Sequence, residues 1–286
     1  EATLHQDIKM ADDGRFQEED ENEAHQETMG RQDPQETKLT GLETVTRGAA
    51  LAAFYGPETA RRYDTEMDDE MKKVVEDLDH VIAHAPAGTG VLDTCVGSGH
   101  YLAYLSAKRK WTHVVGMDVS DAMLATARVK LPDATFLNAD MLETPLPDAA
   151  RGPFGVVLNN FSLHHAARPD AEAAIMEFAS RLVDGGVLYV SLWAGEGAVD
   201  FGEASSDMAA LLTPERELVK WLASAGLEVS RRRSVVEKDM GGMTALYVVA
   251  SKGSSSTKKK VQSVSPLSSS SSSSENHQNA QKQQHP

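Results

Sequence analysis

Asp93-Thr94-Cys95-Val96-Gly97-Ser98-Gly99 is the first place in this chain where residue type and spacing can do chemistry. The run follows apolar Gly90-Val91-Leu92 and leads into a helical stretch. Glycines in such a turn let a ligand approach the backbone with no Cβ in the way. A carboxylate beside them attracts a cation and repels a phosphate. A nicotinamide dinucleotide is therefore a poor match, the more so because its G-x-G-x-x-G turn needs a third glycine where Leu102 stands. A ligand with an ammonium group and no phosphate suits the site better.

Further acids follow at regular places. Asp118 closes the apolar run Val114-Val115-Gly116-Met117, where its carboxylate can accept hydrogen bonds from both hydroxyls of a ribose. Val119 and Met123, just beyond, are positioned to pack against a nucleobase. Asp140 and Met141 follow a third apolar run, 134–138. Each acid has a plainer reading alone: a helix cap for Asp118, a surface carboxylate for Asp140. Three acids at the ends of three successive strands favour one nucleoside site. A fourth run, 154–159, exits through Asn159, Asn160 and Phe161 to the pair His164-His165. That pair is a candidate general base, with helix packing or capping as the plainer alternative. Cys95 reads as a small packed residue rather than a nucleophile.

In this order the residues resemble the motifs of the class I S-adenosylmethionine-dependent methyltransferases. Asp93 to Gly99 is similar to their D-x-G-x-G-x-G loop, with Cys95 in the first glycine slot. Asp118 resembles the second acidic motif. Asp140-Met141 resembles the pair whose acid accepts from the adenine amino group while the next backbone meets the ring. Residues 155–165 resemble the strand and Leu-His-His exit of small-molecule members, with Gly155 for the usual Asp. Residues 181–186 resemble the turn before the fifth strand, with Asp184 for Pro.

The resemblance implies that S-adenosylmethionine is held by Asp93, Cys95, Gly97, Gly99, Asp118, Val119, Met123, Asp140, Met141 and Asn159. It implies catalytic duty for His164 and His165, and an acceptor pocket from Tyr55, Tyr63, Phe161, Trp193 and Glu196. The sulfonium is already electrophilic, so the protein's task is to hold the acceptor in line, roughly 3–3.5 Å away, with water excluded. No metal is implied. The single cysteine and the missing Asn-Pro-Pro-Tyr or Asp-Pro-Pro-Tyr run argue against arsenic methylation and against adenine or glutamine-amide methylation.

These side chains must be positioned by alternating short strands and helices. Strands are expected near 90–93, 113–118, 134–138, 154–159 and 186–192, with helices between them, and a final antiparallel hairpin turns at Gly241-Gly242. The expected fold is α/β: a Rossmann-like, doubly wound, mostly parallel sheet ending in that hairpin. Ahead of it lie a helical segment over 51–63 broken at Gly56-Pro57, and a separate amphipathic helix over 67–85. Arg231, Arg232 and Arg233 read as a solvated strand edge.

Of 286 residues with net charge −15, residues 1–40 hold twelve acidic and four basic side chains and are expected to be disordered. Residues 253–286 form a disordered Ser/Lys/Gln-rich tail, leaving 41–252 as the methyltransferase domain. Residues 41–251 carry −11, a poor partner for a nucleic-acid backbone. The expected acceptor is thus a small molecule. Methylation of tRNA or protein, and a non-catalytic cofactor- or partner-binding module, are the alternatives. One cysteine and no membrane-length apolar run suggest a cytoplasmic protein, although a lost N-terminal leader is compatible with a first residue other than Met. The oligomeric state is not legible.

Overall fold

A computed structural model describes residues 44–199 and 210–253. Apart from Gly253, the expected disordered ends lie outside the described residues. Helix α1 (Thr44–Phe54) is followed by α2 (Pro57–His84). Gly56, extended, is the N-cap of α2 and Pro57 occupies its first turn, where its missing N–H costs nothing. The break at Gly56-Pro57 is as expected, but no second break follows. Residues 61–66 contain helix formers, and Arg62 pairs with Glu66 one turn on. The helix therefore runs unbroken through 67, and Tyr63 shares a rigid element with the residues after it.

Seven strands form one sheet. β1 (Gly90–Asp93), β2 (Val114–Asp118), β3 (Thr135–Asn138), β4 (Phe154–Asn160) and β5 (Leu182–Ala194) are parallel. Between them lie α3 (His100–Lys108), α4 (Asp121–Lys130) and α5 (Arg168–Arg181). A separate pair, β6 (Ala198–Val199) and β7 (Ala210–Leu211), precedes α6 (Glu215–Ser224). β8 (Leu227–Glu237) and β9 (Met243–Lys252) complete the large sheet antiparallel, in the order 3-2-1-4-5-9-8. The order reverses between β1 and β4, and in such sheets the crevice beyond the strand ends at that point takes ligands. The pair Gly185-Gly186, expected as a turn before the fifth strand, instead lies inside β5, where the register with β4 shifts.

The central strands β1, β2, β4 and β5 are buried on both faces, which is why they read as continuous apolar runs. Helices α2, α3 and α4 pack one face around Leu78, Leu102 and Tyr189. Helices α5 and α6 pack the other around Phe178, Leu188 and Trp221.

β8 is the edge of the sheet and Arg232 is exposed on it, as expected, but Arg231 and Arg233 are not freely solvated. Arg231 and Arg233, two apart and so on one face, both reach Asp77 of α2, which is 1% exposed, at 2.6 Å each. Arg232, on the other face, pairs with Glu215. Deleting the shared carboxylate leaves two guanidinium groups facing each other. Each is about one-third exposed (34% and 28%), so part of the loss is recovered by water. Asp77→Ala is expected to lower stability by about 3 kcal/mol, read from the urea midpoint.

Candidate functional site

The ends of β1, β2, β3 and β4 open into a cavity of about 770 Å³. Its walls include Asp93, Cys95, Gly97, Gly99, Asp118, Val119, Met123, Asp140 and Met141, so nine of the ten residues expected around a nucleoside come together. Tyr55, Tyr63, Phe161, Trp193, His164 and His165 line it as well.

Two expected residues do not line it. Asn159 is fully buried behind the wall, donating to Thr94 Oγ1 at 2.9 Å and accepting from Ser162 Oγ at 2.9 Å. Side chains alternate along a strand, and the neighbour, Asn160, is the one that faces the cavity. Its amide nitrogen is buried without a hydrogen-bond partner. Glu196 lies past the end of β5, exposed and paired with Arg216 at 2.6 Å.

The glycine turn does more than keep Cβ atoms out of a ligand's way: the N–H groups of Gly97 and Gly99 are bonded within the protein. Gly97 (φ +51°) donates its N–H to Asp118 Oδ2 at 2.9 Å, and Gly99 donates to the Val96 carbonyl at 2.9 Å. A Cβ on Gly97 would project into open space on the cavity wall, whereas one on Gly99 (φ +88°) would meet Ala127 Cβ at 3.0 Å. The turn thus holds Asp118 in place and lets α3 pack against α4. The other Asp118 oxygen accepts from Ser120 N at 2.9 Å, while Ser120 Oγ caps α4 by accepting from Met123 N.

Burial sets the electrostatics. Asp93 is 1% exposed, accepts one backbone N–H, from Cys95, and meets no basic side chain among the described residues. Desolvation, with a smaller push from Asp118, raises its carboxyl to about 7. Asp118 is raised by burial too, opposed by its backbone hydrogen bonds. Burial lowers His164 well below the ordinary imidazole range, and His165 beside it adds to that. His165 Nε2 meets the Tyr55 hydroxyl at 3.2 Å, and the Tyr55 carbonyl accepts from Ser120 Oγ at 2.6 Å. One residue at the α1–α2 junction thereby ties the exits of β2 and β4 together. Tyr63 is pushed up to about 12, by burial first and then by Glu70 and Glu66.

Burial also raises the Cys95 thiol well above its usual value, with its Sγ 3.4 Å from Met141 Sδ. The thiolate is the reactive form. Cys95 is therefore expected to alkylate far more slowly than free cysteine at neutral pH, as intact-mass measurement with iodoacetamide would show. Labelling at the free-cysteine rate would contradict this environment.

Sequence reasoning missed a second group of lining residues: Glu70 and Lys73 from α2, Tyr101 from α3, and Glu237, Met240 and Tyr247 from the β8–β9 hairpin. Among the described residues no group of three or more His, Cys, Asp or Glu side chains is arranged to hold a metal, and no helix is long and apolar enough to cross a membrane.

A sheet of this order, with acids at the ends of three consecutive parallel strands around one cavity, is the arrangement expected of a class I S-adenosylmethionine-dependent methyltransferase domain. Residues 91–186 match the family described as "Methyltransferase domain". The chain is similar to dTDP-3-amino-3,6-dideoxy-alpha-D-glucopyranose N,N-dimethyltransferase of Streptomyces fradiae, 31% identical over 151 residues, 51% of this chain and 57% of that protein. It is also similar to trans-aconitate 2-methyltransferase of Variovorax paradoxus, 31% identical over 138 residues, 48% of this chain and 49% of that protein. The chain thus spans about half the length of the curated relatives it matches. Among solved structures it is similar in fold to 1,6-didemethyltoxoflavin-N1-methyltransferase of Burkholderia thailandensis, with TM-score 0.57 at 18% identity, covering 74% of this chain and 91% of that one.

Proposed function

We propose that this chain binds S-adenosylmethionine in the cavity and transfers its methyl group to a small-molecule acceptor. One observation carries the reading: Asp93 is a buried carboxylate with no cationic partner among the described residues, at the strand end where Asp118 and Asp140 also converge. A ligand with an ammonium group supplies the missing charge, and one without phosphate avoids three like charges. In this reading Asp93 holds the methionyl ammonium, Asp118 the ribose, and Asp140 with Met141 the adenine. Val119 and Met123 flank the ring. Asn160, whose amide nitrogen lacks a partner, suits the methionyl carboxylate better than the hidden Asn159 does.

The cofactor supplies an activated methyl, so the residues need only bind, orient and exclude water. His165, hydrogen-bonded to Tyr55, is the histidine suited to take a proton from an acceptor. His164, its basicity depressed by burial, serves to pack the exit of β4. The similarity to relatives named for a sugar amine and for trans-aconitate supports a small acceptor. Calorimetry with S-adenosylmethionine and S-adenosylhomocysteine tests the first half, and one-to-one binding is expected. Binding of NADH in their place would replace the reading with a dinucleotide one. Incubation with methyl-labelled cofactor and a cell extract tests the second half. Label in macromolecules alone would exclude a small acceptor.

A further inference from the structure

We propose that the acceptor carries a basic amine on a flat apolar body, and that Glu70, Glu237 and Tyr101 recognise the amine. This rests on the methyltransferase reading and adds the acceptor's chemical class to it.

The charge on this side of the cavity does not balance. Lys73 Nζ lies 3.4 Å from Glu70 Oε2 and 2.9 Å from Glu237 Oε2, so one cation serves two carboxylates. The second Glu70 oxygen accepts from the Tyr247 hydroxyl at 2.9 Å. The second Glu237 oxygen is buried with no hydrogen bond at all, on a side chain only 12% exposed. Independently, Tyr101 is 6% exposed, and its hydroxyl, on the cavity wall, is also buried without a partner. A buried polar atom left unsatisfied costs about 1–3 kcal/mol, and such atoms in a cavity wall point to a ligand that completes them. The Glu237 oxygen can only accept, so its complement is a donor, and the Tyr101 hydroxyl can accept from the same group. Beside a net negative charge, that donor is a cation. A carboxylate-bearing acceptor would meet Glu70 and Glu237 as like charges.

The remaining wall is aromatic. Phe161 packs 4.8 Å from Trp193 and 5.8 Å from Tyr247, centroid to centroid. Ring faces attract cations as well as apolar plates, and one face of Tyr247 already holds the Arg233 guanidinium at 4.1 Å. A flat body against these rings leaves its amine beside the carboxylates.

Tryptamine and indole-3-acetate share a ring and differ in charge, so they serve as probes. The full chain is titrated with each by calorimetry, with and without S-adenosylhomocysteine. Tryptamine is expected to bind at least about tenfold tighter than indole-3-acetate. Glu237→Gln is expected to erase that preference, Tyr101→Phe to weaken tryptamine several-fold, and Lys73→Gln to strengthen it. Melting temperatures identify any variant that fails to fold, and Tyr101→Phe, which creates no cavity, keeps the test open if Glu237→Gln is such a variant. Equal or tighter binding of indole-3-acetate, or no binding of either probe, overturns the proposal. A tryptamine preference in a chain that ignores S-adenosylhomocysteine would uphold this lobe and overturn the methyltransferase reading instead.

Discussion

Replacing Asp93 by asparagine is expected to stabilise the unliganded protein and nearly abolish its affinity for S-adenosylmethionine. The carboxyl sits at about 7 when folded, against 3.8 as its ordinary value, with desolvation as the main cause. A folded value above the unfolded one means that ionisation works against the fold. The penalty is absent below the ordinary value, grows as pH rises toward about 7, and is constant beyond. At about pH 8 the native protein bears all of it, at most about 4 kcal/mol for a shift of about three units. The amide of Asp93→Asn bears none, so the variant's advantage in urea should be greatest at about pH 8 and vanish near pH 4. The same carboxylate is the proposed partner of the methionyl ammonium, and losing one member of a buried charge pair weakens binding by about 2–5 kcal/mol. In the native protein, cation binding favours the ionised form. Affinity should therefore fall about tenfold per pH unit below about 7 and level off above it, with proton release in the acid limb. An Asp93→Asn protein that binds the cofactor as the native one does, or a flat pH profile, would remove Asp93 from the site.

The second large effect belongs to Asp118. Its two oxygens accept from Gly97 N and Ser120 N, both at 2.9 Å, so the side chain is part of the loop it serves. Asp118→Ala leaves both donors without that partner, at about 1–3 kcal/mol each. A total loss of about 2–6 kcal/mol is expected, with cofactor binding lost as well. Asp118→Asn retains one acceptor oxygen but turns an amide N–H₂ toward the other donor, and should fall between the two. Urea midpoints report the first effect and calorimetry the second. Faster amide exchange at Gly97 would show that the loop itself has loosened. An alanine variant with native stability and native affinity would refute both roles.

The convergence of the strand-end residues on one cavity was legible because it is local. Each acid follows its own apolar run, and a parallel sheet carries successive strand ends to one edge in chain order. What failed was what that logic does not reach. Whether Asn159 or Asn160 faces the cavity depends on where β4 starts relative to its bulge, a parity that a run of apolar residues does not encode. Glu196 follows the end of β5, but its ion pair with Arg216 holds it on the surface. Arg231 and Arg233 were misread because their partner, Asp77, is 154 residues away in sequence from Arg231. The wall that carries Glu70, Glu237 and Tyr247 was invisible for the same reason. It exists only because β8–β9 register places Arg233 opposite Tyr247 and Glu237 opposite Met243, at the hairpin end that faces α2. The unbroken α2 was missed because polar residues on its solvent side interrupted the apolar stripe without interrupting the helix.

Phe161 leaves β4 at φ +43°, a left-handed backbone for a bulky side chain. Such a conformation costs about 1–3 kcal/mol and persists only where its surroundings enforce it. Here the enforcement comes from its N–H bond to the Ser191 carbonyl at 2.8 Å and from the rings of Trp193 and Tyr247. For anyone seeking to retrain this scaffold on new substrates, that elbow is the wrong place to diversify, since a smaller side chain there relaxes the keystone of the wall. Met240, half in water beside the glycine turn of the hairpin, lines the same cavity with no comparable duty. A library focused on that tip can vary substrate scope while leaving the scaffold's stability largely untouched.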